Sequence, residues 1–381
     1  MVVWILNGPM NLGGTESFIM ELLRNKDKNV DIKLVVHSST DKNHGVYDEE
    51  IKELGIPRYD LPSVGSVGVK KYKKAFKNLI EEIGVPDVIH SNMNAVGGII
   101  CKVAQGCGIK HRIVHCHAEI KYKGSKLSVL KNELALWVMK KYVNKYANHY
   151  WACSEVAAKR LFYKSKKTVI IPNVIDARKY FCSKSTRNIE RQALNIFGDV
   201  LAVGAVGRIA PIKNYETIIQ AISILKKEGI NAHFYCYGGI VNEQYYNSLL
   251  DLIKQQEVEE RVHFLGVSTN INERLKAFDV YVMPSISEGL GISALEAQAS
   301  GLPVLLSKGV PAETDMGIGT VKRIETNIDR EWASAIKDIR IKDLSEETIL
   351  SAFVKKGYDS KTKCKEIYKL YKDMGVNNGI Y

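Results

Sequence analysis

Glu288 and Glu296 stand eight residues apart in SEGLGISALEAQASGLPV, on either side of a glycine-containing turn that runs into a helical pattern. Two carboxylates so placed can be an acid and a base, or they can hold the two ends of a ligand whose middle is an anion. A helix beginning near Gly291 would aim its free amides at such an anion. Arg208 and Lys213, in GRIAPIKN, could reach the same anion, one as a planar fork and the other as a point charge, an arrangement suited to a diphosphate. Eight residues of helix rise about 12 Å, comparable to the distance from the sugar to the ribose of a nucleotide sugar. A glycosidase pair would instead hold its carboxyls about 5 to 10 Å apart around one bond. The spacing therefore favours two hydroxyl acceptors flanking a diphosphate, with Glu296 as an ordinary helix-surface residue the plainer alternative.

A second glycine turn, NLGGTE, follows the first apolar run and brings Gly13 and Gly14 where a backbone can approach a phosphate closely. It is not G-x-G-x-x-G, and a tight turn needing positive φ explains it equally well. The phosphate loop G-x-x-x-x-G-K-[ST] is absent throughout. His115 and His117 fall on one face of a strand by the two-residue period, but no carboxylate or cysteine spacing completes a metal site.

The elements that must carry these residues alternate. VVWILN, DIKLVVHS, DVIHSN, HRIVHCH and HYWACS read as short strands, with helical periodicity between them at 67–83 and 126–147. The rhythm pauses at VIIPNVIDARKYF, a plausible hinge, and resumes with VLAVGAVGR, AHFYCYGG, RVHFLG, VYVMPS and PVLLS. This predicts two successive α/β domains with parallel sheets, and one long helical stretch over 346–373 that could cross back onto the first.

At 381 residues the chain suits two domains, and its 45% hydrophobic and 25% charged shares are those of a soluble globular protein. No apolar run approaches the roughly 20 residues of a membrane span, and MVVWILNGPMN lacks the basic start of a signal peptide, so a cytoplasmic location is expected. Seven scattered cysteines without a C-x-x-C pair indicate reduced thiols. The net charge of +12 is localised: residues 1–180 hold 29 Lys and Arg against 17 Asp and Glu, and the remainder 25 against 25. A basic first half suggests an anionic partner, and a lysine-rich solvated face is the plain alternative.

Taken together, GGTE, HCH, VGRIAPIKN and SEGLGISALEAQASGLPV resemble the retaining glycosyltransferases of family 4, in order and across nearly the whole chain. The EAQASGLPV tail is similar to enzymes that assemble capsular polysaccharide or exopolysaccharide. The resemblance implies the GT-B fold, two Rossmann-like domains facing each other across a cleft, with the active site there and the C-terminal helix returning to the first domain. The domains expected are 1–175 with about 358–381, on the acceptor side, and 176–357, binding the nucleotide sugar. It implies that Glu288 contacts the transferred sugar with Gly289, Leu290, Gly291 and Ile292 lining the donor, that Glu296 holds the ribose, and that Gly13 and Gly14 approach the diphosphate and sugar. Arg208 and Lys213 would neutralise the leaving diphosphate without a metal or other cofactor, and His117 matches the family's active-site histidine. Two departures, YCYGGIVNE in place of the usual G-x-G and SEGLGIS with Gly291 and Ser293 along the donor sugar, leave the donor's identity open.

The function expected is transfer of a hexose or N-acetylhexosamine from a UDP-sugar to an acceptor hydroxyl with retention, the acceptor a lipid-linked saccharide of surface polysaccharide synthesis. Rival readings are an epimerase of the same fold, which would consume the donor without acceptor, and a phosphorylase, which would require free phosphate. A nucleic-acid-binding protein is suggested by charge alone, and no recognition helix or aromatic-basic platform supports it, so no nucleic acid is expected as partner. Residues 67–84 add an anionic membrane surface as a partner, peripheral to the inner face of the membrane. There Tyr72, Phe76, Leu79, Ile80 and Ile83 share one helical face and Lys70, Lys73, Lys74 and Lys77 another.

Overall fold

Short runs of Val, Ile and Leu, too brief for helices and apolar on both faces, form strands that are covered on each side, as parallel sheets require. The computed structural model describes residues 1–38, 45–117, 125–325 and 327–376. The chain divides into two units, Met1–Val174 joined by the segment from Ser360, and Ile175–Asp359.

The first unit alternates β1 (Val2–Asn7), α1 (Gly14–Arg24), β2 (Asp31–Ser38), α2 (Asp48–Glu53), β3 (Arg58–Pro62), α3 (Val64–Ile83), β4 (Val88–Ser91), α4 (Gly97–Gln105), β5 (His111–Cys116), α5 (Lys126–Tyr146), β6 (His149–Ala152), α6 (Glu155–Leu161) and β7 (Thr168–Ile170). Its strands pair in the order β3-β2-β1-β4-β5-β6-β7, all in parallel. The second unit runs α7 (Lys184–Ala193), β8 (Leu201–Val206), α8 (Tyr215–Lys227), β9 (Ala232–Tyr237), α9 (Glu243–Gln255), β10 (Val262–Phe264), α10 (Ile271–Arg274), β11 (Val280–Met283), α11 (Ile292–Ala299), β12 (Val304–Ser307), β13 (Val321–Ile324), α12 (Asp329–Lys337) and α13 (Glu346–Lys356). Its sheet, also parallel, has the order β10-β9-β8-β11-β12-β13.

In both sheets the strand order reverses beside the unit's first strand, between β1 and β4 and between β8 and β11. A crevice opens at the carboxyl ends of strands at such a reversal, because the flanking connections lead to opposite faces. The loops after β1, β4, β8 and β11 are the ones the geometry favours for a ligand.

The helical stretch predicted over 346–373 is two helices. Gly357 adopts φ 77° and ends α13, and α14 (Ser360–Val376) then packs on the first unit. A left-handed residue stops a helix, and glycine adopts it without steric cost. Ile367, Tyr368 and Tyr371 of α14 are buried in the first unit's core, and the Tyr368 hydroxyl donates to the Leu22 carbonyl at 2.7 Å.

Helix α3 keeps Tyr72, Phe76 and Leu79 inward while Lys70, Lys73, Lys74 and Lys77 face solvent, and Ser63 caps its start by accepting from the Ser66 amide. All seven cysteines are free thiols.

Candidate functional site

Strand β8 ends at Val206, and the chain then turns through Gly207, where a side chain would be crowded. A β-carbon at Gly207 would press on Lys213 and on the Tyr215 hydroxyl, and one at Gly238, after β9, would collide with the Gly207 carbonyl. The short turn Pro211–Lys213 follows, closed by Asn214 at φ 54°. The amide of Ile286 donates to the Ile212 carbonyl at 2.9 Å and so ties the loop after β11 to the loop after β8.

Across this tie Lys213 donates to Glu288 Oε1 at 2.6 Å, and the Ser285 hydroxyl donates to the same oxygen at 2.7 Å. Both side chains of the ion pair are largely buried. Arg208 is exposed beside them, with no carboxylate partner among the described residues. The structure thus divides the two expected cations: Lys213 already has its counterion in Glu288, and the Arg208 guanidinium is open. The described bonds of Glu288 fall on Oε1, which leaves Oε2 to accept from a ligand hydroxyl.

From Glu288 the chain enters α11 through Gly289, Leu290 and Gly291. Gly291 caps the helix in the left-handed region at φ 76°, where a β-carbon would also press on the Met283 sulfur at 3.0 Å. Thr314 fixes this loop by donating from its hydroxyl to the Leu290 carbonyl, and the Ser293 hydroxyl donates to the Val206 carbonyl at 3.0 Å, joining the start of α11 to the end of β8. The amides of residues 289 to 293 have no acceptor among the described residues, so the helix start presents a row of free donors with the positive end of the helix dipole behind them. One turn further on, Glu296 accepts from the Tyr180 hydroxyl at 2.7 Å. Burial pushes the Glu296 carboxyl above its usual range, and the Tyr180 bond opposes that shift.

In the first unit, Gly13 is the extended residue that begins α1, at φ −167°, and Gly14 is the first residue of the helix. The Glu16 carboxylate folds back against Gly13 and accepts from Asn7 Nδ2 at 3.1 Å, occupying the space at the helix start.

His117, just past β5, is buried. Its Nε2 lies 2.7 Å from Asn92 Oδ1, its Nδ1 lies 3.2 Å from Asn173 Oδ1, and its amide donates to Asn94 Oδ1 at 2.9 Å. Burial lowers its pKa to about 4, so the ring is neutral at pH 7 and carries one proton. A neutral imidazole cannot donate to two carbonyl oxygens. Asn92 is oriented by two further contacts of its amide nitrogen, to the carbonyls of Leu6 and His90, so its Oδ1 is turned to accept from Nε2–H. Behind it the His115 ring lies 3.9 Å away, centroid to centroid, and His90 links His115 to the Tyr371 hydroxyl of α14. Among the described residues no three His, Cys, Asp or Glu side chains are placed to hold a metal ion.

Sequence reading missed Tyr180, Ser285, Asn92 and Asn173. Asn92 and Asn173 were open to it, since each follows a strand near its carboxyl end in DVIHSN and VIIPN. The hydroxyls carry no such signal.

The arrangement suits a ligand with an anionic middle and hydroxyls at its ends. Known proteins agree in kind. Residues 186–331 match the family described as glycosyl transferases group 1. The chain is 30% identical over 382 residues to the "Putative glycosyltransferase EpsF" of Bacillus subtilis (strain 168), covering 97% of this chain and 96% of the relative. It is 29% identical, over 40% of each chain, to the UDP-Gal:alpha-D-GlcNAc-diphosphoundecaprenol alpha-1,3-galactosyltransferase of Escherichia coli. Among solved structures, that of Anabaena Alr3699/HepE in complex with UDP and glucose superposes with a TM-score of 0.77 at 19% identity, over 98% of this chain and 100% of the other. Two Rossmann-like parallel-sheet units and 30% identity over nearly the whole chain to the Bacillus subtilis relative place the protein: it is a glycosyltransferase of GT-B fold and belongs to the glycosyl transferases group 1 family.

Proposed function

We propose that the protein is a retaining glycosyltransferase of family 4 that moves a hexose or N-acetylhexosamine from a UDP-sugar to a hydroxyl of a lipid-linked saccharide in surface polysaccharide synthesis. The observation that carries the reading is the row of free amides at 289 to 293, flanked by an open Arg208, the Lys213–Glu288 pair and Glu296. The UDP bound by the Anabaena protein and the diphosphoundecaprenol acceptor named for the Escherichia coli enzyme support the choice of donor and acceptor.

In this reading the amides and Arg208 hold the diphosphate, Glu296 accepts from the ribose hydroxyls and Glu288 Oε2 from a hydroxyl of the donor sugar. The bond from the anomeric carbon to the diphosphate oxygen breaks, and the bond to the acceptor oxygen forms on the same face. The acceptor's proton passes to the departing phosphate oxygen, which lies on that face. Charge gathers on the leaving diphosphate, and donors fixed beforehand in a site of low polarity stabilise it most. Lys213 can turn from Glu288 towards that charge as it develops, so no metal is required. His117, neutral and held between Asn92 and Asn173, serves as a fixed polar contact on the acceptor side rather than as a base. The exposed lysines of residues 67–84 supply attraction to an anionic surface.

The test is incubation of the purified protein with a panel of UDP-sugars and a diphospholipid-linked saccharide, with the product's anomeric configuration read by NMR. Transfer with the donor's configuration kept is expected. An inverted product would contradict retention. Consumption of donor without acceptor, or only with free phosphate, would replace the transferase reading by an epimerase or a phosphorylase.

A further inference from the structure

Helix α5 turns an apolar stripe outward. Leu127, Leu130, Leu134 and Trp137 recur at helical spacing and are 78, 67, 61 and 55% exposed. Large apolar side chains scattered singly on a surface are ordinary, whereas an aligned row marks a contact. The helix's other face is already committed: Leu136 and Val143 are buried, and a β-carbon at Gly98 of α4 would collide with the Val143 amide. That packing fixes which way the stripe points.

The charges sort with it. Lys131, Lys141 and Lys145 lie on the same exposed arc, while the one carboxylate of the helix, Glu133, pairs with Arg160. A face built for water mixes both signs. This one combines apolar side chains with cations alone. The Lys141 ammonium sits 3.3 Å from the centre of the Trp137 ring, and an indole beside a cation suits the boundary between lipid headgroups and acyl chains.

We propose that α5 is an interfacial helix that seats the first unit on an anionic bilayer, its Leu and Trp side chains entering the headgroup boundary and its lysines meeting lipid phosphates. It lies on the membrane rather than across it, since no helix among the described residues is long and apolar enough to span one. Helix α3 differs in kind, because its large apolar side chains point inward and its outer face offers charge without insertion. In sequence α5 follows His117 after residues 118–124, so the lipid-seated helix is the next described element beyond the candidate acceptor-side histidine. The inference deepens the lipid-linked acceptor reading, and its test reads lipid alone, so either can fail without the other.

Trp4, Trp151 and Trp332 are buried, which leaves Trp137 as the one exposed indole of the chain's four and a ready reporter. Its emission should shift to the blue with vesicles of equimolar phosphatidylcholine and phosphatidylglycerol, and much less with phosphatidylcholine alone. The double variant Leu130→Gln, Leu134→Gln, checked for native fold by its circular dichroism melt, should bind the anionic vesicles at least about tenfold more weakly, a loss of about 1.4 kcal/mol. Changing Lys131, Lys141 and Lys145 to Gln should remove the salt-sensitive part of binding. Unchanged emission with anionic vesicles, or equal co-sedimentation of the double variant and wild type, would overturn the proposal. So would a solution dimer that the double variant returns to monomer without any lipid response, which would make the stripe a self-association face.

Discussion

Arg208→Ala is expected to lower turnover about 10²- to 10³-fold while weakening donor binding far less, because removing one fixed donor from a developing oxyanion costs that much. The asymmetry follows from the site. Arg208 is exposed and has no carboxylate partner among the described residues, so its attraction is greatest when the leaving diphosphate gains charge. Lys213→Ala should lose turnover too, with an added cost in stability, since it strips Glu288 of its counterion at a largely buried position. The measurement is kcat and KM for each variant on the same donor and acceptor. A rise in KM with turnover untouched would assign both residues to plain binding.

Acid should weaken the first unit well above the usual range of carboxylate titration. His37 and His117 are buried, and burial lowers each pKa from 6.5 to about 4. His90 and His115 are displaced in the same direction, by burial first and then by neighbouring imidazoles. Between pH 6.5 and about 4 the unfolded chain therefore binds more protons than the folded one, and stability falls as the pH falls. The stabilisation these groups give is present above pH 6.5 and is lost towards the folded value. Each of His37 and His117 contributes up to about 1.4 kcal/mol per pH unit within that window. Urea titrations at pH 7, 6 and 5 should show the loss, and His37→Phe should flatten the slope. A stability independent of pH from 7 to 5 would mean that these rings are not held neutral.

The strands of both sheets were legible because each is a short run of apolar residues with turn residues at its ends. The elements that escaped are at the edges. β3 buries only Leu61 fully, and β13 exposes Lys322 and Arg323, so neither shows the apolar run that marks a covered strand. The break between α13 and α14 escaped as well, since Gly357 inside a helical pattern reads as tolerable until its φ is known. At the site, Arg208, Lys213, Glu288 and Gly291 stood out by residue type and spacing, and the structure brings the loops that carry them together where the strand order reverses. The Lys213–Glu288 bond spans 75 residues and depends on the tie between Ile286 and Ile212, which no local pattern announces. Tyr180 and Ser285 are invisible for the same reason: a single hydroxyl gains its meaning from the carboxylate that the fold sets opposite it.

The most direct test of the donor site is calorimetric titration of UDP into the wild-type protein and a folded Glu296→Ala variant, in the presence of EDTA. UDP should bind the wild type without metal, and the variant should lose about 1.5 to 3 kcal/mol of affinity, the worth of hydrogen bonds to a charged group. No binding of UDP to the wild type, or equal affinity for both proteins, would contradict the donor-site reading.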